Sequence, residues 1–379
     1  MNPTKAEPER PRAAEIFAFF LQLGLTAFGG PAAHIALMEQ GSVSRGWLKR
    51  EEFLDLVGGC NLLPGPSSTQ VAMALGYRRG GVPGLVIAGA CFIVPASLTT
   101  LALAWAYVRY GRMPQMAGFL YGTKPVIVAI VAQALWRLGQ SAVKRWTLAA
   151  LGIACLAGAF AGVPPLAILL AAGAVAIAPQ MSRSENRSAL MGFSMPAIGA
   201  GGASAAGLGS IALVFLKLGV VVFGSGYVLL AFLKADLVDR LHWISIQQLL
   251  DAVTAGQMTP GPVFATSTFI GYLVHGWTGA VVATVAVFLP SFFLAGMVAA
   301  LAGRIRRSKM AGAFIDGVNV AAVALMAQVA LVLGRASLVD RPTWVIGVAS
   351  AVLLLWKRVN ATWLILGGAL AGILLRAAH

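Results

Sequence analysis

Pro64-Gly65-Pro66 and Pro260-Gly261-Pro262 stand inside long apolar stretches, and each is followed by hydroxyl side chains: Ser67, Ser68 and Thr69 after the first, Thr266 after the second. Proline removes a backbone N–H and clashes with the preceding turn, while glycine admits dihedrals closed to other residues, so both triplets should interrupt helices. A helix restarting after such a break presents free N–H groups and the positive end of its dipole, which together favour an anion. Two further breaks are expected at Phe28-Gly29-Gly30-Pro31, with His34 close behind, and at Phe223-Gly224-Ser225-Gly226. Taken singly, glycines can simply allow close helix packing and prolines a kink. Four breaks in matched positions fit better the plan of a secondary transporter whose discontinuous helices surround its substrate.

Ionisable residues within uncharged runs form a second set of candidates, because a charge inside a bilayer is costly and needs a partner or a purpose. Lys217 in Phe-Leu-Lys-Leu-Gly and Lys124 in Gly-Thr-Lys-Pro could neutralise an anionic substrate. Equally, Lys217 could snorkel to the interface and Lys124 could mark a helix break. Asp55 and Asp251 each lie nine residues before a triplet and could couple protons, pair with a cation or cap a helix. Asp316 is a third proton-coupling candidate, with a helix start as its alternative. His34 could titrate near neutral pH or donate a hydrogen bond to the substrate.

The elements that must position these residues are membrane helices. Of 379 residues 59% are hydrophobic and only 11% charged, too little polar surface to coat a soluble body of this size. Val82 to Val108, Trp146 to Gln180 and Gly276 to Gly303 carry no charge at all. Apolar segments run over 15–38, 53–77, 82–108, 113–136, 146–161, 163–179, 210–233, 248–274, 276–303, 312–334, 342–356 and 359–376. Gly162-Val163-Pro164-Pro165 divides the longest uncharged run, which would otherwise overreach a bilayer about 30 Å thick. Residues 1–14 read as a polar tail with no cleavable signal peptide, and 181–208 as a linker. The net charge of +15 comes from short clusters between apolar runs, where lipid headgroups, not nucleic acid, are the expected contact. Cys60, Cys91 and Cys155 form no metal or redox pair. No nucleotide-binding loop and no haem, flavin or iron–sulfur motif is present, so an ATP-driven pump and a membrane reductase are both disfavoured. No metal or cofactor is expected.

An internal repeat organises the chain. Phe20-Leu-Gln-Leu-Gly24 and Phe28-Gly29 return 195 residues later as Phe215-Leu-Lys-Leu-Gly219 and Phe223-Gly224. Trp47, Asp55 and the first triplet return as Trp243, Asp251 and the second. Gly76-Tyr77, Gly81, Gly84, Pro95, Gly122 and Gln133 follow as Gly271-Tyr272, Gly276, Gly279, Pro290, Gly317 and Gln328. The fold class expected is an all-α polytopic membrane protein of two homologous repeats, 15–180 and 209–379. The distribution of Lys and Arg places the 181–208 linker and the 304–309 loop in the cytoplasm and makes each triplet segment re-entrant. Five crossings per copy then remain, ten in all, and the odd number inverts the second copy.

Phe28-Gly-Gly-Pro-Ala-Ala-His34, Asn61-Leu-Leu-Pro-Gly-Pro-Ser-Ser-Thr-Gln70, Met73-Ala-Leu-Gly-Tyr77, Phe223-Gly-Ser-Gly-Tyr227 and Gln257-Met-Thr-Pro-Gly-Pro262 resemble the chromate ion transporter family over about 15–376. The resemblance implies a long-form, multi-pass protein of the bacterial inner membrane, with two fused halves of opposite orientation, that exports chromate by alternating access. The sulfate- or proton-coupled transport of another tetrahedral oxyanion is the alternative. It also carries the family's glycine element onto Gly29, Gly30 and His34 and onto Gly224, Ser225 and Gly226. Family members have a third glycine at the position of Ser225 and a proline near Ala231, a departure that bears on substrate and not on fold. A homodimer packed through Gly/Ala faces is open to the chain, though one copy has helices enough to enclose a path.

Overall fold

A computed structural model of the chain describes residues 12–28, 30–111, 113–181, 207–223, 226–305, 309–356, 359 and 361–377. These form helices α1 (Arg12–Thr26), α2 (Gly30–Ser44), α3 (Arg50–Asn61), α4 (Ser67–Tyr110), α5 (Pro114–Ala142), α6 (Trp146–Phe160) and α7 (Pro165–Met181) in the first copy. The second copy contains α8 (Leu208–Val221), α9 (Leu229–Leu233), α10 (Ile246–Met258), α11 (Thr266–Ile305), α12 (Lys309–Ser337), α13 (Arg341–Trp356) and α14 (Ala361–Ala377). Short helical turns precede α9 and α11, and a wider π-helical turn, Lys234–Arg240, prolongs α9. Every element of the first copy has its counterpart about 195 residues on. No β-strand occurs among the described residues.

Glycine dihedrals decide where the chain reverses. Within α4, Gly81 adopts φ 61°, ψ −151°, and within α11 its counterpart Gly276 adopts φ 61°, ψ −149°, a region closed to residues with a Cβ. Gly76 consequently packs on the carbonyl of Gly84, and Gly271 on that of Gly279. Along a straight helix those pairs would stand about 12 Å apart. Each long helix is therefore a short arm, 67–79 or 266–274, folded back on a long one, 82–110 or 277–305.

The first copy opens with two re-entrant hairpins. Trp47 Nε1 donates to Glu15 Oε1 at 2.7 Å, and Arg79 Nη2 meets Glu15 Oε2 at 2.8 Å. The start of α1, the loop before α3 and the end of the 67–79 arm thus share one face. Arg45, just beyond α2, lies 4.8 Å over the ring of Phe19 on α1, so α2 returns to that same face. The re-entrant course expected for the triplet segment is as observed. The single crossing expected of 15–38 is not: Gly30 takes φ 78° and the segment turns back as a hairpin. The second copy does the same, Lys217 of α8 reaching Asp236 beyond α9 at 2.8 Å. The count of ten crossings falls accordingly. Among the described residues, four helices are long and apolar enough to span a bilayer, within 67–110, 116–142, 263–299 and 312–337. The paired α6/α7 and α13/α14 are shorter apolar helices.

The two copies are inverted. Gly89 on α4 packs against Phe292 on α11, while Gly296 on α11 meets Leu85 on α4. Gly139 on α5 faces Val323 on α12, while Gly334 faces Val128. In both pairs the numbering rises on one helix as it falls on its counterpart, so equivalent helices run antiparallel. Close glycine contacts bind the outer helices too: Gly122 on α5 abuts Gly368 on α14, and Gly317 on α12 abuts Ala172 on α7. This small-residue packing is how helices associate in lipid, where the hydrophobic effect offers no drive between them. Residues 1–11 and 182–206 lie outside the described residues, so the tail and nearly all of the linker do as well.

Candidate functional site

The four breaks converge at the centre of the molecule, where the two copies exchange backbone hydrogen bonds. Gly65 N–H donates to Val222 O at 2.6 Å, and Gly261 N–H donates to Ala27 O at 3.0 Å. Ala27 and Val222 are repeat equivalents, so each copy's triplet is satisfied by the other copy's first break. Gly65 adopts φ 115° and Gly261 φ 94°, which is why the triplets have glycine between the prolines. Buried irregular backbone must find partners within the protein, and these crossed bonds supply them.

The environment of the breaks is unequal in the two copies. Pro66 precedes the first turn of α4, whose Ser67, Ser68 and Thr69 are all buried. The residues after Pro262 are Val263, Phe264 and Ala265, with no hydroxyl among them. Thr266 follows, but its Oγ1 donates to Val263 O at 2.8 Å within its own turn. His34 is fully buried, with Nε2 3.1 Å from Ala27 O, Nδ1 3.5 Å from Ser68 Oγ and its ring edge-on to Phe92. It clamps the carbonyl that receives Gly261 N–H and is sealed from either face. Thr69 Oγ1 and the Ser291 Oγ beside Gly65 are buried with no protein hydrogen-bond partner. Gly29, Gly224 and Ser225 lie outside the described residues. Gly226 is buried against Val263.

A cavity of about 400 Å³ opens beneath the first triplet, between the α2 start, the end of α3, the last turns of α5 and the first half of α12. Its polar lining among the described residues is Asn61, Ser67, Gln133, Arg137, Ser141 and Asn319, with no carboxylate among them. It lies toward the face that carries Glu15, Arg79 and the Lys144–Asp316 ion pair at 2.7 Å.

The equivalent position on the opposite face is closed. There Lys124 Nζ lies 3.1 Å from Asp251 Oδ1 and donates to Gln247 Oε1 at 2.8 Å. Tyr107 Oη donates to Asp251 Oδ2 at 2.9 Å, and Gln247 Nε2 donates to Ala336 O at 3.1 Å. These contacts tie α4, α5, α10 and the end of α12 together. On the open face the repeat places neutral Asn319 where the closed face has Lys124.

The other ionisable candidates are dispersed. Lys217 pairs with Asp236, which also receives Arg240 at 3.2 Å, in a charged cluster near the α6–α7 turn and away from the breaks. Asp316 serves Lys144, and Asp55 is half-buried on α3. Sequence reasoning missed Asn61, Gln133, Arg137 and Asn319 as cavity residues and Tyr107 as a partner of Asp251. Asn319 was open to discovery as the repeat counterpart of Lys124.

Two inverted copies joined through matched helix breaks are specific enough to compare with known families. The family model described as chromate transporter matches residues 14–177 and 209–373, one match per copy. The chain belongs to the chromate transporter family. Among curated relatives, this transporter is 32% identical to the probable chromate transport protein of Synechococcus elongatus over 373 residues, 95% of each chain. It is 32% identical to the chromate transport protein of Cupriavidus metallidurans over 372 residues, 95% of this chain and 92% of that one. It is 30% identical to the chromate transport protein of Pseudomonas aeruginosa over 393 residues, 97% and 94% of the two chains. No solved structure matches the chain. Family and helices together make it a multi-pass transporter of the bacterial inner membrane and not an enzyme.

Proposed function

We propose that the transporter exports chromate, a tetrahedral dianion, from the cytoplasm by alternating access. The observation that carries this reading is the inequality of the two faces: a cavity without carboxylates reaches Ser67 from one side, while its inverted counterpart is shut by Lys124 and Asp251. Arg45, Lys49, Arg50, Arg78, Arg79, Lys144 and Arg145 surround the open side, and the positive-inside rule assigns that side to the cytoplasm. The oxyanion enters there and, the Thr69 N–H being already given to Pro66 O, meets the first turn of α4 at the backbone N–H groups of Ser67 and Ser68 and the hydroxyls of Ser67, Ser68 and Thr69. It passes the glycines and prolines of both breaks as the inverted copies rock about them. Release on the far side requires Lys124 to part from Asp251, with Asp55, Asp251 and Asp316 as the carboxylates able to exchange protons during the cycle. The membrane potential, negative inside, favours outward movement of the dianion by about 4.6 kcal/mol per 100 mV.

Chromate and sulfate share shape and charge, and the cavity's donors suit both. Flux of each, measured in proteoliposomes with the pH gradient and membrane potential set independently, tests the reading. Potential-driven chromate flux, competed by sulfate, is expected. Absence of flux for either oxyanion would overturn the assignment, and sulfate flux without chromate flux would replace the substrate.

A further inference from the structure

Among the described residues Arg137 is the one cation lining the open cavity, and neither the breaks nor the repeat points to it. It sits near the C-terminal end of α5, is exposed, and has no carboxylate partner among the described residues. The carboxylate on the neighbouring wall, Asp316, is occupied by Lys144 at 2.7 Å. Gln133, one turn back on α5, spends its Nε2 on Leu354 O at 2.9 Å, a bond the repeat copies in Gln328 and Ala159 O at 2.7 Å. Its role is thereby structural and symmetric. Arg137 has no such copy: its counterpart on α12 is Val332. Nor does Lys124, whose counterpart is Asn319. Both cations along the path therefore ride on α5, 13 residues or about 20 Å apart, one engaged at the closed face and the other unpaired at the open one.

Resting on oxyanion transport as proposed above, we infer that Arg137 is the capture residue for the incoming anion at the cytoplasmic mouth. A guanidinium keeps its charge at every relevant pH, and its planar fork can hold two oxygens of one tetrahedral anion. Asn61 and Asn319 offer neutral donors around it, the Ser141 hydroxyl donates to Leu138 O at 2.9 Å, and Ser67 lies at the inner end of the same cavity. A lipid phosphate presents the same chemistry as a free oxyanion, so the test must separate the two.

Chromate uptake rates against concentration are measured for wild type, Arg137→Lys and Arg137→Gln. Each is reconstituted in purely zwitterionic lipid and in lipid containing phosphatidylglycerol. Loss of a charge-assisted contact predicts a KM raised roughly tenfold or more in Arg137→Gln, partly restored in Arg137→Lys, in both lipids. An unchanged KM, or a defect confined to the anionic lipid, overturns the inference. A second readout does not need flux. Ser141→Cys, read against native cysteines that are all buried, should be protected from a thiol reagent by sulfate when Arg137 is present and not when it is glutamine. Protection without flux would sink the transport reading while sustaining Arg137. Flux with protection indifferent to Arg137 would do the reverse.

Discussion

Lys124 and Lys217 show what a residue's identity discloses and what it withholds. Both stand out in the sequence because a cation in an apolar helix is costly, but the energetic argument names no partner. The structure supplies Asp251 to one and Asp236 to the other, contacts across 127 and 19 positions of chain that no local pattern reveals. Asp251 is 4% exposed, so removing Lys124 strands a buried carboxylate. Lys124→Met should lower stability by about 2–4 kcal/mol, and Lys124→Met/Asp251→Leu should regain most of it, since an apolar pair of similar volume avoids the desolvation cost. Thermal unfolding of the detergent-purified variants checks this. If the double variant is no more stable than the single one, the pair is not acting as a buried couple.

At the scale of elements, the helix breaks were legible because proline and glycine act locally through their own dihedrals. The triplets and Gly30 interrupt helices where expected. What local rules could not show is that the chain turns back at Gly30 instead of continuing across; the divisions between 53–77 and 82–108 and between 248–274 and 276–303 were legible, and Gly81 and Gly276 supply the dihedrals that make them reversals. A kink and a reversal differ in tertiary packing and not in residue type. The close fit around Gly261 makes the point testable. A methyl added there would lie 2.8 Å from Ala96 Cβ and would sit at φ 94°, so Gly261→Ala should cost about 2–4 kcal/mol from backbone strain and overpacking together. Gly162 also has a positive φ, 82°, but nothing within 4 Å of its missing Cβ, and Gly162→Ala should cost only about 1–2 kcal/mol. Equal losses in the two variants would mean that the crowding at the central break is not real.

For the whole molecule, the repeat was readable from rare residues recurring in order, and the charge pattern pointed to inversion. The inversion stands, but the reasoning through ten crossings does not, because 15–38 and 210–233 double back. Equivalent loops must nevertheless lie on opposite sides. Arg145→Cys in the α5–α6 loop and Val339→Cys in the α12–α13 loop occupy nearly matched positions of the two copies. In intact cells an impermeant thiol reagent should label only Val339→Cys, and both should label after the membrane is opened. Labelling of both in intact cells is incompatible with antiparallel copies.

The crossed bonds from Gly65 to Val222 and from Gly261 to Ala27 carry an implication for biogenesis. When the ribosome has released only the first copy, the N–H of Gly65 has no acceptor, and Ala27 O, held by His34 alone, awaits a second donor yet to be synthesised. Neither half can reach its finished form ahead of the other, so maturation of the centre is a single late event for the whole polypeptide.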